Sequence, residues 1–303
     1  MSQTLDRPSG TNASSSNQSY VPWLCMAVVG SALLWTYGND LGRLAGRWWG
    51  NQDYIHGFLV IPFSLFLAWR RRAMVAGGPL KGNAVVGTAL MVVAVMMRCL
   101  SAYMTDPLLG PLSIPVCISG IVFLVGGKSL FAWLWPSIAI LPFMIPIPDF
   151  MASWGNLALQ RVATIASTFL LQTLGVPAAA FGNVIVLTNT ELGVEEACSG
   201  LRSTVLFLAV SVGAAMLLDE VPERVAAILI AIPAAVLSNI IRIVATGLLY
   251  QYSSHELAEA VFHDFFGLLM LPLAAGMTLI AIRATAAVFP AAVEDRPLAL
   301  GSV

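Results

Sequence analysis

Apolar runs on the scale of a bilayer alternate along this chain with short polar connections that gather arginine, lysine and glycine. A hydrocarbon core of ~30 Å takes about 20 helical residues to cross. Runs of that order lie at 21–38, 55–70, 84–103, 107–126, 129–147, 199–218, 225–250 and 261–283. The pattern predicts an all-α polytopic membrane protein with about eight transmembrane helices.

Two segments depart from it. From Phe150 to Gly175, polar residues recur at Ser153, Asn156, Gln160, Thr164 and Ser167, spacings that put them on one stripe of a helix. Proline-rich LPFMIPIPDF precedes this helix and argues for a break rather than a clean hairpin. The segment therefore reads as an amphipathic helix that is interfacial or re-entrant at the outer face. Were it to span, every later loop would change side. Next, VPAAAFGNVIVLTNTELGVEEA contains two β-prone runs, NVIVLT and ELGVEE, around a polar turn at Asn189 and Thr190. Backbone of this kind cannot face lipid, so a short extracytoplasmic β-hairpin or extended loop is expected.

The polar first twenty residues predict a disordered cytoplasmic tail over 1–20 and lack the order of a signal peptide. A single multi-pass membrane domain is expected over 21–284, with a short cytoplasmic tail over 285–303. Cytoplasmic loops collect Lys and Arg. Arg70, Arg71, Arg72, Lys81, Lys128 and Arg283 then lie inside, with Arg43 and Arg47 as minority exceptions in an outer loop.

Composition agrees: 58% of residues are hydrophobic and 10% charged, with mean hydropathy +0.83, against about a quarter charged in soluble domains. A net charge of −1 offers no basic patch for nucleic acid. The four cysteines lack metal-site spacing and no nucleotide-binding glycine loop occurs, so neither metal nor cofactor is expected.

Polar groups inside apolar runs now become informative, since an ionisable residue at mid-helix costs ~2.5 to 3.5 kcal/mol on insertion scales. VEEACSGLRS places Cys198 at a helix start with Arg202 one turn on. Arg242 lies in SNIIRIVATGLLY, sharing a helix face with Ser238 and Asn239. His263 opens HDFFGLLM. In the orientation above, Cys198, Arg242 and His263 occupy a similar depth near the outer face. A cation or a helix amino terminus lowers a thiol pKa from ~8.5 and exposes the thiolate. Acyl transfer fits these types, with His263 carrying the proton and Arg242 holding thiolate or oxyanion.

The residues alone leave Cys198 open between nucleophile and small packing residue. Cys25, Cys99 and Cys117 read as packing, Arg98 and Arg161 equally as side chains that snorkel to headgroups or as functional groups, and His56 and His255 as interfacial anchors or solvated groups. A transporter, or an assembly protein for polysaccharide export, would equally line a polar cavity with Arg242 and His263.

In DYIHGFLV with WRRR, IPIP, GNVIVL, ACSGLRS, NIIRI and HDFFG, taken in that order from Asp53 to Gly267, the chain resembles the exosortase/archaeosortase family of membrane cysteine proteases and transpeptidases. The resemblance implies Cys198 as nucleophile, Arg242 as essential arginine and His263 as the site histidine. Arg202, Asn239, Glu196 and His56 take supporting or substrate-binding roles. It further implies a bacterial inner-membrane enzyme whose site faces the extracytoplasmic side. Its substrates would be membrane-anchored proteins ending in a PEP-CTERM-like motif, one helix and a basic tail, with a glycan or lipid as candidate acceptor. The carboxy-terminal domain of some members is expected to be absent.

Overall fold

The computed structural model describes residues 21–51, 54–75, 81–147, 149–188, 190–194, 200–253 and 266–289. The expected tail over 1–20, Glu196, Cys198, His255, His263 and residues 290–303 lie outside them. Contacts divide the chain into two units, Met1–Arg43 and Leu44–Val303.

Helix α1 (Val21–Gly50) contains all described residues of the first unit, where Arg43 donates to the Asp40 carboxylate at 3.3 Å. The expected loop around Arg43 and Arg47 is corrected, because both continue this helix. Leu44 and Trp48, one turn apart, are both buried, so the amphipathic period carries the helix on to Gly50.

The second unit continues with α2 (Gly57–Arg70), α3 (Ala84–Met104) and α4 (Leu109–Ala139). Helix α4 is broken at Gly127, where φ is +60° and ψ −146°. Phe123 and Phe131 stack across the break with ring centroids 4.8 Å apart, whereas eight residues of unbroken helix advance about 12 Å. The chain therefore doubles back at Gly127, matching the separate runs expected at 107–126 and 129–147. The first arm packs on α3 through small residues, Gly87 beneath Leu124 and Gly120 beside Met91. The second arm lies antiparallel to α2: Ser64 Oγ donates to the Ser137 carbonyl at 2.7 Å and Trp133 Nε1 to that of Ala68 at 2.8 Å.

After a 3₁₀ turn at Leu141–Met144 come α5 (Asp149–Thr173) and strands β1 (Ala178–Phe181), β2 (Val184–Leu187) and β3 (Glu191–Gly193). The strands form one antiparallel sheet of order β1-β2-β3. The expected hairpin is β2–β3, closed by the bond from Leu187 N–H to the Thr190 carbonyl. Strand β1 is an addition, and its alanine-rich sequence gave no β signal. Helices α6 (Gly200–Ala215), α7 (Val221–Leu229), α8 (Ala231–Tyr252) and α9 (Phe266–Val288) complete the chain. Helix α9 continues past the expected boundary at 284.

Directions follow from contacts. Phe63 of α2 packs on Gly213 of α6, and Arg70 Nη1 donates to the Leu217 carbonyl at 2.8 Å, so α2 and α6 run parallel. Both begin at one end of the bundle, called here the His56 end. The segment from Asp149 to Val194 thus leaves and returns at that end with no net crossing, as expected for a re-entrant or interfacial helix. Of its polar stripe, Gln160, Thr164 and Ser167 are buried. Thr164 bonds back to the Gln160 carbonyl at 2.8 Å, the local solution for a hydroxyl in a packed helix. The stripe therefore packs inward at these positions.

Among the described residues, four stretches are long and apolar enough to cross a bilayer: Ala84–Met104, Leu109–Met144, Val221–Tyr252 and Leu269–Val288. Of the about eight transmembrane helices expected, these four meet that length and apolarity among the described residues. Helices α2 and α6 are apolar but have 14 and 16 residues, about 21 and 24 Å against a core of ~30 Å.

Candidate active site

Helix α8 turns Ser238, Asn239, Arg242 and Thr246 to a buried face. Arg242 is only 7% exposed, an unusual position for a guanidinium within an apolar helix. Around it, three contacts fix the level of three helices. Ser238 Oγ donates to Met270 Sδ of α9 at 3.0 Å. Thr204 of α6 and Asn239 line one small crevice together with Leu159 of α5. Ser211 of α6 and Thr278 of α9 share a hydrogen bond of 3.2 Å between their hydroxyls. Leu206, Phe207, Ala234, Ala235, Met270 and Ala274 close one core around these bonds.

Helices α6 and α9 consequently run parallel to each other and antiparallel to α8. One turn toward the His56 end, about 6 Å, Thr204 leads back to Gly200, Met270 back to Phe266 and Ser238 on to Arg242. The starts of α6 and α9 and the Arg242 turn of α8 therefore lie level. Of the expected site residues, the structure brings Arg242 and Asn239 together on one buried face. Arg202 belongs to the first turn of α6. Cys198, His263 and Glu196 lie outside the described residues.

His56 precedes α2, is buried, and has Nε2 3.2 Å from the Phe143 carbonyl. With Phe63, Leu206 and Leu271 it walls an apolar cavity of about 270 Å³. The reading of His56 as an interfacial anchor or solvated group is corrected: the ring is buried at the end where α6 and α9 begin. Two aromatic residues hold the same proline-rich segment. Trp48 Nε1 donates to the Met144 carbonyl at 2.8 Å and Tyr54 Oη to that of Ile147 at 3.4 Å.

A polar clamp lies between α5 and the sheet. Asn183 Nδ2 donates to Gln160 Oε1 at 2.9 Å, while the Asn183 carbonyl accepts the Val194 N–H at 2.9 Å. Gly182 makes the turn possible with φ +63°, a region that disfavours side chains. Val194 is fully buried with Ile185, Leu192, Ala163, Leu171 and Ile243, the last being the neighbour of Arg242. Val194, the residue after β3, is thereby tied to the helix that carries the arginine. Gln160 was visible in the sequence as part of a stripe; Asn183 was visible only as part of a Gly-Asn turn, without a partner.

A deep arginine on a polar helix face, level with two helix starts and beside a small sheet at the same end, defines a polytopic membrane protein with one concentrated polar site. The model of the family described as transmembrane exosortase (Exosortase_EpsH) matches residues 48–280, and the chain belongs to that family. Neither the curated proteins nor the solved structures compared with the chain give a match.

Proposed function

We propose that this exosortase-family protein is a cysteine peptidase or transpeptidase that removes the carboxy-terminal sorting signal of secreted, membrane-anchored proteins. The observation that carries this reading is the common level of the α6 start, the α9 start and Arg242. Cys198 lies two residues before Gly200 and His263 three before Phe266, within about 8 and 11 Å of chain from those helix starts. Family membership supports it, since exosortases are generally cysteine transpeptidase-like.

In the proposed reaction the Cys198 thiolate attacks the carbonyl carbon of the scissile peptide, forming a tetrahedral oxyanion that Arg242 stabilises. The C–N bond breaks, His263 gives its proton to the leaving amine, and the acyl group remains as a thioester on Cys198. Water, or an amine or hydroxyl of an acceptor such as a glycan or lipid, gives up a proton to His263 and releases the acyl group. Asn239 and Arg202 orient the site, with Glu196 and His56 as supporting groups.

The chain adopts eight crossings in this reading, with the amino terminus inside and the His56 end outside the bacterial inner membrane. The Arg70 end, rich in Arg70, Arg71 and Arg72, is then cytoplasmic. A substrate helix already in the bilayer delivers its outer juxtamembrane peptide to this depth by lateral diffusion.

The test compares removal of the tail from a tagged substrate by wild type, Cys198→Ala and Cys198→Ser. Loss in the alanine variant, with a substrate thioester detected by mass spectrometry on the wild type, is the expected outcome. Continued removal by Cys198→Ala overturns the enzyme reading and favours a transporter or export-assembly role.

A further inference from the structure

The three-stranded sheet has two edges, and they differ. In an antiparallel pair, residues that exchange N–H and C=O bonds alternate with residues whose backbone groups point away. The bonds from Leu187 N–H to the Thr190 carbonyl and from Val194 N–H to the Asn183 carbonyl fix that alternation across β2 and β3. Ile185 and Leu192 form the bonded pair between them. Glu191 and Gly193, opposite Val186 and Val184, therefore direct their N–H and C=O groups away from β2, along the outer edge of β3.

The same alternation gives β1 an outer edge at Ala178 and Ala180, opposite Leu187 and Ile185. There the Ala178 carbonyl is occupied, accepting Gln172 Nε2 from α5 at 2.8 Å. Covering an edge with a side chain is one way a protein keeps a strand from pairing further. Edge β1 is covered in this way, whereas among the described residues no such side-chain bond reaches the outward groups of β3, and Cys198 follows five residues beyond Gly193 in the sequence.

We infer that the outer edge of β3 is a peptide-binding site, which takes the extended segment of a substrate around its scissile bond as a fourth strand of the sheet. This rests on the proposed function, and it assigns the substrate a conformation and a docking rail. Strand addition supplies affinity through main-chain bonds, so it accepts varied sequences, while alternate side chains of the guest strand face opposite sides of the sheet. The Gln160–Asn183 clamp and the buried Val194 make the rail rigid relative to Arg242, which places a guest carbonyl reproducibly.

A proline on the rail tests it. Glu191→Pro removes an outward N–H that no bond to β2 uses, at an edge position where proline is tolerated. Loss of one main-chain bond should raise KM for a synthetic sorting-signal peptide about fivefold, with kcat within about twofold. Ala180→Pro, at the equivalent position of the covered edge, should leave KM unchanged. Because a proline could act by perturbing the sheet, a second measurement uses the unaltered rail. In Cys198→Ala protein, binding is compared for peptides carrying one amide-to-ester replacement at successive positions.

Weakening at every second ester position is the expected result; equal effects at neighbouring positions, or none, overturn the strand-addition site. The binding arm needs no turnover, so it separates the two ideas. An alternating ester pattern with active Cys198→Ala would sink the cysteine mechanism alone. A flat pattern with inactive Cys198→Ala would sink the docking rail alone.

Discussion

The α3–α4 hairpin and the less apolar α5–sheet–α8 assembly cohere by different means. In the hairpin, close approach is set by small residues: Gly87 and Gly120 let Leu124 and Met91 come against backbone, and among α3 residues only Gly87 and Ala94 are buried. Without a hydrophobic drive between helices in lipid, such packing is what remains to hold them. In the other assembly, buried polar groups are dense: Gln160, Thr164, Ser167 and Thr168 on α5, then Ser238, Asn239, Arg242 and Thr246 on α8. A membrane protein does not collect these for stability alone, since each polar group must find a partner to offset its desolvation. The contrast separates the scaffold from the region to which the proposed chemistry is assigned.

Substitutions can break this contrast, and the largest effect is expected at Arg242. Arg242→Ala should lower the rate of substrate processing by about 10²- to 10³-fold, the scale of losing one oxyanion donor. Arg242→Lys should recover only part, because a point charge does not reproduce the guanidinium fork. Single-turnover processing at matched protein level in membranes measures both.

Next is the clamp. Gln160→Leu takes away the partner of the half-buried Asn183 amide, a cost of about 1 kcal/mol. Processing should fall about fivefold, and Asn183→Ala added to Gln160→Leu should cause little further loss, the signature of one shared interaction in a double-mutant cycle. Full additivity would show that the two side chains act separately.

Gly87→Leu should do the opposite of Arg242→Ala. A side chain there meets Leu124, including its backbone nitrogen, so thermal stability in detergent should drop by ~1 to 3 kcal/mol. The folded fraction should process substrate at the wild-type rate. A matching loss of specific activity would mean that the hairpin belongs to the site. Smallest is Cys99→Ser: Cys99 is exposed on α3, and its replacement should change stability by less than about 0.5 kcal/mol, with processing unaltered.

Much of the hairpin region was legible because it obeys a single rule, an apolar run ended by a polar turn. The pair of runs on either side of Lys128 anticipated the reversal, which Gly127 executes one residue earlier with a backbone angle that favours glycine. The stripe on α5 was legible as a helical period, and the structure supplies what period cannot, the inward direction of Gln160, Thr164 and Ser167.

Less legible were features decided by tertiary contact. The extension of α1 through Arg43 and Arg47 follows from burial of Leu44 and Trp48. Strand β1 forms because β2 offers it a ladder, against the weak preference of AAAF. For the site, Arg242 and Asn239 could be found from polarity within an apolar run, and the structure places both on the buried face. Asn183 could not, since a Gly-Asn turn looks the same whether or not a glutamine awaits it.

The parallel course of α2 and α6 has one more consequence. Everything from Asp149 to Val194 departs and comes back through the same face, so it behaves as a cassette plugged into a fixed frame. Its strands can lengthen, shorten or change sequence without reversing any helix that follows. Selection can therefore retune this part of the molecule while the direction of α6, α8 and α9, and with it the level of Arg242, stays constant.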